Sequence, residues 1–599
     1  MKRREFCKLM AAAIATTFPA AATDARADVA ASQNIFNPAP KEDYAAFCAT
    51  PANERVFYSY SGNKVLTRKL SDAGWRDTGM VRPNKTWDGA PMESPIPGLH
   101  GQGPYKPTWE SFLQYDCPDW YRDAKFGIWN HWSPQCVPED GDWYARNMYE
   151  QNNVKWSQYW FHREHYGPQS IFGYKDLCAQ WTLLNWQPDD LMARYKRAGA
   201  KFFVALANHH DGFDTWNSKH HQWNAQNIGP HRDVIGTWAA EARKQGLRFG
   251  VTVHKARNWW WFQVSHGADH SGTYAGIPYD GRMTKSDGKN AWWNGFDPQQ
   301  LYAPKHPHGA VPDPSYVKYF YDCTRDLIDQ HNPDLLYFDD TLFPLGWAGV
   351  NLGAYFYNHN LKTHGDKMEG VITVKGVPEH LTKAVVADIE RGMTTAIANH
   401  PWQSETCIGQ WHYQRALFTR RGEYGGYMHP REVIHWLIDV VSKNGTFILN
   451  IPGKPDGTID RKEQLILEKI GEWFAINGEA IYATRPWKIF GEGATQVAKG
   501  WGNGYKTIKN LGPDDIRFTR NKANTAIYAI FLGWPDAGGF EVKAFGTASH
   551  TNPGKIVNVS LLGTEEKLQW RQSAAGLHVA MPKYRPSVDY AVALKIALA

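Results

Sequence analysis

Between residues 107 and 487, short runs of apolar, β-branched and aromatic residues alternate with longer stretches whose apolar positions recur every three or four residues. The first pattern predicts buried strands and the second amphipathic helices, and their alternation is that of βαβ units around a parallel sheet. Strands are predicted at residues 126–132, 201–207, 248–254, 335–339, 371–374, 384–389, 406–411 and 446–451, a number that fits a closed barrel. Helices are predicted between them, as at 188–198, 234–245 and 316–330. Residues 255–314 break the pattern, being rich in Trp, Gly, Asp and Pro, and on a barrel they form a long βα loop at the active face. Beyond residue 487 the runs shorten and alternate, as at 525–531 and 557–561, which predicts a sandwich. The predicted fold class is therefore α/β: a (β/α)8-like TIM barrel at 107–487 with a C-terminal antiparallel β-sandwich at 488–599.

The first 27 residues belong to neither domain. Two arginines (Arg3, Arg4), Phe6 and Lys8 precede an alanine-rich apolar stretch and an Ala25-x-Ala27 cleavage site, so residues 1–27 read as a twin-arginine-like export signal. The mature chain is expected to begin near Asp28, periplasmic or secreted, with a loop-rich N-terminal extension at 28–106. No later run reaches the roughly 18 apolar residues of a membrane span, so no integral membrane segment is expected. The net charge of +6 is scattered along the chain, which argues against a nucleic-acid partner. Cys48, Cys117, Cys136, Cys178, Cys323 and Cys407 are far apart, with no C-x-x-C pair; this spacing suits neither a zinc site nor a dense disulfide framework, and leaves room for one or two bridges. The 14% of aromatic residues could stack on sugar faces, but composition alone favours a large core.

Several predicted strands end in polar or acidic residues: His131, His209-His210-Asp211, His254, Asp339-Asp340 and Glu390. In a barrel such ends converge on one pocket; singly each is more often a helix cap or a surface residue, but five together point to a site. Strand alternation lets only one of Asp339 and Asp340 point inward. A nucleophilic carboxylate and an acid are what glycoside hydrolysis needs, and Asp339 with Glu390 or Glu405 can supply them. Because neighbouring strand residues face opposite ways, His209, His210 and Asp211 make a poor shared metal site; no metal and no cofactor is expected.

Six ordered segments resemble the retaining α-L-fucosidases of glycoside hydrolase family 29: 120–132 (W-Y-R-D-A-K-F-G-I-W-N-H-W), 141–149 (G-D-W-Y-A-R-N-M-Y), 208–213 (N-H-H-D-G-F), 333–339 (P-D-L-L-Y-F-D), 443–451 (K-N-G-T-F-I-L-N-I) and 477–482 (N-G-E-A-I-Y). The resemblance implies Asp339 as nucleophile and a fucose pocket lined by His131, His209, His210, Asp142 and Trp143, with Asp142 shorter than the usual Glu. Tyr337 stands where the family usually has Trp, and His254 where many relatives have Tyr; both are expected to touch the sugar. The acid/base is either Glu405, in a segment similar to W-E-T-C, or Glu390, in the E-R-G pattern of a branch that also carries P-W-Q, with Arg391 as its salt-bridge partner or a surface charge. Glu390 is preferred. Trp259, Trp260 and Trp261 with Trp292 and Trp293 either wall the leaving-group sugar or pack the long loop.

The expected activity is exo-hydrolysis of terminal α-L-fucosyl residues from a fucosylated oligosaccharide or polysaccharide by double displacement. This requires two carboxyls about 5–5.5 Å apart, against roughly 6.5–9.5 Å for inversion. An α-L-galactosidase, a fucan-active enzyme, a carbohydrate-binding protein on the same fold and a metal-dependent hydrolase are the rival readings.

Overall fold

The computed structural model describes residues 56–61, 64–69, 76–81, 90 and 92–599, apart from 153, 155–156, 308, 496–501 and 536–537. The predicted export signal lies outside the described residues. Strands β1 (Val56–Ser61), β2 (Lys64–Lys69) and β3 (Arg76–Val81) form an antiparallel sheet. The following segment docks on the barrel's outer helices, where the Asn358 carboxamide donates to the His100 and Tyr105 carbonyls and accepts from the Tyr105 N–H.

The barrel is closed by eight parallel strands: β4 (Phe126–Asn130), β5 (Phe202–Asn208), β6 (Arg248–Val253), β7 (Leu335–Thr341), β8 (Val371–Lys375), β9 (Val386–Glu390), β10 (Trp402–Cys407) and β11 (Gly445–Asn450), with β11 returning to β4. Their inward side chains, among them Trp129, Phe202, Val204, Leu335, Tyr337, Val371, Val386 and Ile448, fill the interior as a packed core. Gly127 leaves room for one of them, since a Cβ there would come within 2.4 Å of the Phe202 ring. The predicted helices are present as Pro188–Arg197, Val234–Lys244 and Pro314–His331. The connection from β8 to β9 carries only a 3-10 turn, Glu379–Leu381, and that from β9 to β10 no regular helix, which makes the barrel (β/α)8-like.

One strand sits four residues before its expected place. β10 is Trp402–Cys407, not 406–411, because the barrel interior at this point is polar: Gln403 and Glu405 face inward across from Asp388 and Glu390, so the strand lacks the apolar alternation that marks the others. Trp411 and His412 consequently fall in the loop above it. The long segment after β6 is built of short turns and one-turn helices (Lys255–Arg257, Asn258–Trp261, Phe262–His266) at the C-terminal end of the strand.

Beyond the helix Arg461–Asn477, a five-stranded sheet, β12 (Arg485–Glu492), β13 (Ile516–Arg520), β14 (Ala526–Phe531), β19 (Val592–Leu598) and β16 (Ile556–Leu561), faces a three-stranded one, β15 (Phe540–Val542), β18 (Leu577–Val579) and β17 (Trp570–Gln572). Trp487, Phe518, Phe540, Phe545 and Leu577 are buried in the core of this sandwich. The five cysteines from Cys117 to Cys407 are all free, and among the described residues no helix is long and apolar enough to cross a membrane.

Candidate active site

At the C-terminal mouth of the barrel one ammonium gathers the acids. Lys375, the last residue of β8, contacts the Asp339 carboxylate, lies 2.7 Å from Glu390 and 3.3 Å from Glu405. One oxygen from each of these three carboxylates lies within 4.8 Å of the others, so the three acids share one site. Below them the Tyr337 hydroxyl reaches Glu405 at 2.7 Å, Asp388 at 3.1 Å and Asp339 at 3.4 Å, with a single proton to donate. Tyr337 is buried, with its ring packed on Trp129 while its hydroxyl joins the acids.

Four carboxylates around one partly buried cation cannot all ionise. Burial pushes Asp388 up to about 7, helped by Glu390 and resisted by Lys375. Burial and then Asp388 push Glu405 well above the usual carboxylate range. Asp339 goes the other way: burial opposes its charge, but Lys375 and His254 outweigh it and hold the group well below its ordinary value. The cluster thus pairs a fixed anion with carboxyls that retain protons, the division that acid–base work at a sugar requires.

The other wall is a set of imidazoles. His254 Nδ1 lies 2.9 Å and His210 Nε2 3.6 Å from Asp339 Oδ2. The Gln135 amide donates to His209 Nδ1 at 2.7 Å, which puts the ring proton on Nε2; the His210 Nδ1–H donates to the His254 carbonyl at 2.8 Å. His131 stacks on Trp129 at 4.7 Å, and among the described residues neither of its buried nitrogens has a hydrogen-bond partner. Burial, then the neighbouring imidazoles, hold His131 and His209 well below their ordinary pKa, and burial brings His210 down to about 3. Neutral imidazoles offer one donor and one acceptor each, the complement of a sugar hydroxyl. Nitrogens of His131, His209 and His254 also lie within 4.8 Å of one another, a spacing a metal could use, whereas the acidic trio already holds the Lys375 ammonium.

Asp142 accepts from His412 Nδ1 at 2.6 Å, and His412 packs on His131 at 4.7 Å. His412 Nε2 also meets Ser133 at 2.9 Å, so the chain has the connectivity of a catalytic triad; yet Ser133 is wholly buried and bonded to Asp211, and it orients the ring instead of attacking. Trp143 sits on the rim in a left-handed backbone conformation (φ 61°), 43% exposed, edge-on to His210 and Trp261.

Asp142, Trp143, His131, His209, His210, His254, Tyr337, Asp339, Glu390 and Glu405 are therefore assembled around one mouth. Three details differ from expectation. His209 and His210 both face the pocket, with rings 4.3 Å apart, because they follow the end of β5, where strand alternation no longer applies; Asp211 turns away to Tyr174, Ser133 and Gln135. Arg391 is half-buried over Trp411 and donates to Cys407 Sγ, and Glu390 is only a lesser part of the negative charge that raises its pKa. Of the five loop tryptophans, Trp261 reaches the histidines, while Trp259 stacks on His306 and Trp292 lies edge-on to Trp223. Lys375, Asp388, Gln135 and His412 were missed by sequence reasoning; a lysine ending a barrel strand was the signal for the first. Asp340, the outward neighbour of Asp339, is bound by Arg257.

Residues 98–479 match the family model described as alpha-L-fucosidase, and 510–597 match the alpha-L-fucosidase C-terminal domain. Human tissue alpha-L-fucosidase is 27% identical over 81% of this chain and 89% of its own length. The Thermotoga maritima alpha-fucosidase solved in complex with fucose is 26% identical, covering 82% of this chain and 100% of that one, with a TM-score of 0.59. The same enzyme with a mechanism-based inhibitor gives 25% identity over 82% of this chain and 100% of that one, with a TM-score of 0.61. The matched region spans the barrel with every residue of the pocket, and the chain belongs to the alpha-L-fucosidase family of glycoside hydrolases.

Proposed function

We propose that this pocket removes terminal α-L-fucosyl residues from fucosylated oligosaccharides or polysaccharides with Asp339 as nucleophile and Glu390 as acid/base. The observation that carries the reading is the Lys375-bridged trio, in which Asp339 is held ionised at hydrogen-bond distance from His254. Asp339 attacks the anomeric carbon while the acid protonates the departing oxygen; water, deprotonated by the same group, then cleaves the glycosyl-enzyme with net retention. His131, His209, His210 and His254 hold the sugar hydroxyls, and Trp143 closes the pocket from the rim.

Glu390 is 18% exposed and can meet a leaving group and incoming water, whereas Glu405 is 1% exposed beneath Lys375. Glu405 as acid is the second reading, favoured by its elevated pKa. Turnover of an aryl α-L-fucoside by Glu390→Ala and Glu405→Ala, with and without azide, separates them. Azide accelerates the variant that has lost the acid/base and leaves the other unchanged; rescue of Glu405→Ala alone would reverse the assignment.

The rest of the proposed organisation is an exported enzyme, periplasmic or secreted, matured by removal of residues 1–27, with a catalytic unit at 107–487 and a sandwich from 488. The signal-like composition of the N-terminus supports this, and N-terminal sequencing of the mature protein tests it against Asp28.

A further inference from the structure

A file of buried polar groups crosses the barrel interior from its closed end to the acids at the mouth. Tyr121, on the helix Asp119–Ala124 that leads into β4, has its hydroxyl 2.8 Å from Gln403 Oε1, and Gln403 Nε2 lies 2.7 Å from Asp388 Oδ1. Asp388 Oδ2 lies 3.1 Å from the Tyr337 hydroxyl, which in turn lies 2.7 Å from Glu405 Oε1. Each of these side chains is buried.

Every link limits the next. A carboxamide oxygen only accepts, so the Tyr121 hydroxyl donates to Gln403 and the Gln403 amide N–H donates to Asp388. Oδ1 of Asp388 is thereby an acceptor, and a proton held by this carboxyl sits on Oδ2, facing Tyr337. A phenol that accepts there directs its own proton elsewhere, and Glu405 is the nearest acceptor, at 2.7 Å against 3.4 Å for Asp339.

The direction of that proton matters to Lys375. Among the described residues Glu405 is served only at Oε1, by Tyr337 and by Lys375 at 3.3 Å, while its buried Oε2 has no hydrogen-bond partner. With Tyr337 donating to Glu405, the ammonium is left to Asp339 and Glu390, the two groups between which negative charge passes as the glycosyl-enzyme forms. With Asp388 ionised, two anions compete for the phenol proton and Glu405 draws on Lys375 instead. Burial raises Asp388 to about 7, against Lys375, Gln403 and Tyr337 and with help from Glu390 on its own strand. Glu405, Tyr121 and, across the phenol, Asp339 complete the titratable groups around it.

We propose that Asp388 is a positioning residue of the hydrolysis that acts through Tyr337: when protonated, it commits the phenol proton to Glu405 and so reserves Lys375 for Asp339 and Glu390. The proposal rests on the fucosidase reading of the pocket, with Asp339 as nucleophile. Asparagine reproduces the protonated carboxyl, its oxygen accepting from Gln403 and its N–H donating to Tyr337, and it cannot ionise.

The test follows kcat and KM on an aryl α-L-fucoside across the pH profile of the full protein, Asp388→Asn, Asp388→Leu, Tyr337→Phe and the double variant Tyr337→Phe/Asp388→Asn. At about pH 5, Asp388→Leu should lower kcat about tenfold, the scale of one hydrogen bond to a charged group, and Asp388→Asn should bring it back to within about threefold of wild type with KM unchanged. Asp388→Asn should also move the basic limb of kcat up by about one pH unit, and in the Tyr337→Phe background the same substitution should move it by less than about 0.3 unit, because the phenol that transmits the effect is gone. An Asp388→Asn variant as slow as Asp388→Leu at acidic pH, or one whose basic limb stays in place, would overturn the proposal. An equal shift in the Tyr337→Phe background would also overturn it, since the Asp388 charge would then act directly on the acids. If Asp388→Leu does not fold, the asparagine variant and its double variant carry the test. Failure of the underlying reading shows separately, as an aryl fucoside rate that survives Asp339→Ala.

Discussion

Two buried lysine–carboxylate clusters in this protein are built from the same groups and behave as opposites. At the junction of barrel and sandwich, Asp439 on the helix Pro430–Ser442 lies 2.6 Å from Lys443 and 2.7 Å from Arg517 on β13, all three sealed from solvent, with Phe490 beneath both cations. Burial opposes the charge on Asp439, but two cations overcome it and keep the carboxyl below its ordinary range. At the barrel mouth the ratio is inverted: Asp339, Asp388, Glu390 and Glu405 surround Lys375, so protons must stay on some of them. An ion cluster with surplus cations is a bolt; one with surplus carboxylates, open to the pocket, is a store of protons beside a fixed anion. Charge ratio and access together separate structure from chemistry here.

This contrast can be broken by exchanging what the two clusters lose. Asp339→Ala should lower kcat on an aryl fucoside by about 10⁴-fold with little change in Tm, as expected for a residue acting in the transition state. Asp439→Asn should do the reverse. It strands two buried cations, a cost of about 3–5 kcal/mol that a melting curve reads as a fall of several degrees, and kcat/KM should stay within about twofold. Comparable kcat losses in both variants would erase the distinction.

Smaller effects sharpen it. Lys375 lowers the pKa of Asp339, so Lys375→Met should move the acidic limb of the kcat/KM profile to higher pH by roughly one unit, while Lys443→Met leaves that limb in place. The smallest effect concerns Asp388, whose pKa folding raises from 3.8 to about 7. A raised pKa contributes stability that is present below the unfolded value and is lost as pH climbs through about 7; asparagine cannot titrate, so the Tm of Asp388→Asn relative to wild type should rise by about 2 °C between about pH 5 and pH 8. A flat difference would mean that Asp388 carries no retained proton.

The same division governs how much the sequence discloses. Apolar periodicity locates seven of the barrel strands because their inward faces are hydrophobic, and the residues at their ends, His131, His209, His210, His254 and Asp339, follow from the fold. Where the interior turns polar the signal fails: β10 lies before its predicted place, Asp388 is an unremarkable member of the predicted strand 384–389, and Lys375 falls just past the predicted 371–374. Lys375 at the end of Val371–Lys375 looks like a solvated terminus until barrel closure brings residues from β7, β9 and β10 around it. His412 joins the pocket through Asp142, some 270 positions away, a pairing that no local pattern encodes.

The most direct test of the central claim is the stereochemistry of azide rescue. Asp339→Ala incubated with an aryl α-L-fucoside and azide should yield β-L-fucosyl azide, read by the anomeric proton coupling, because azide then replaces the missing carboxylate in a single displacement. An α-configured azide would mean that a covalent intermediate still forms without Asp339, and would place the nucleophile elsewhere.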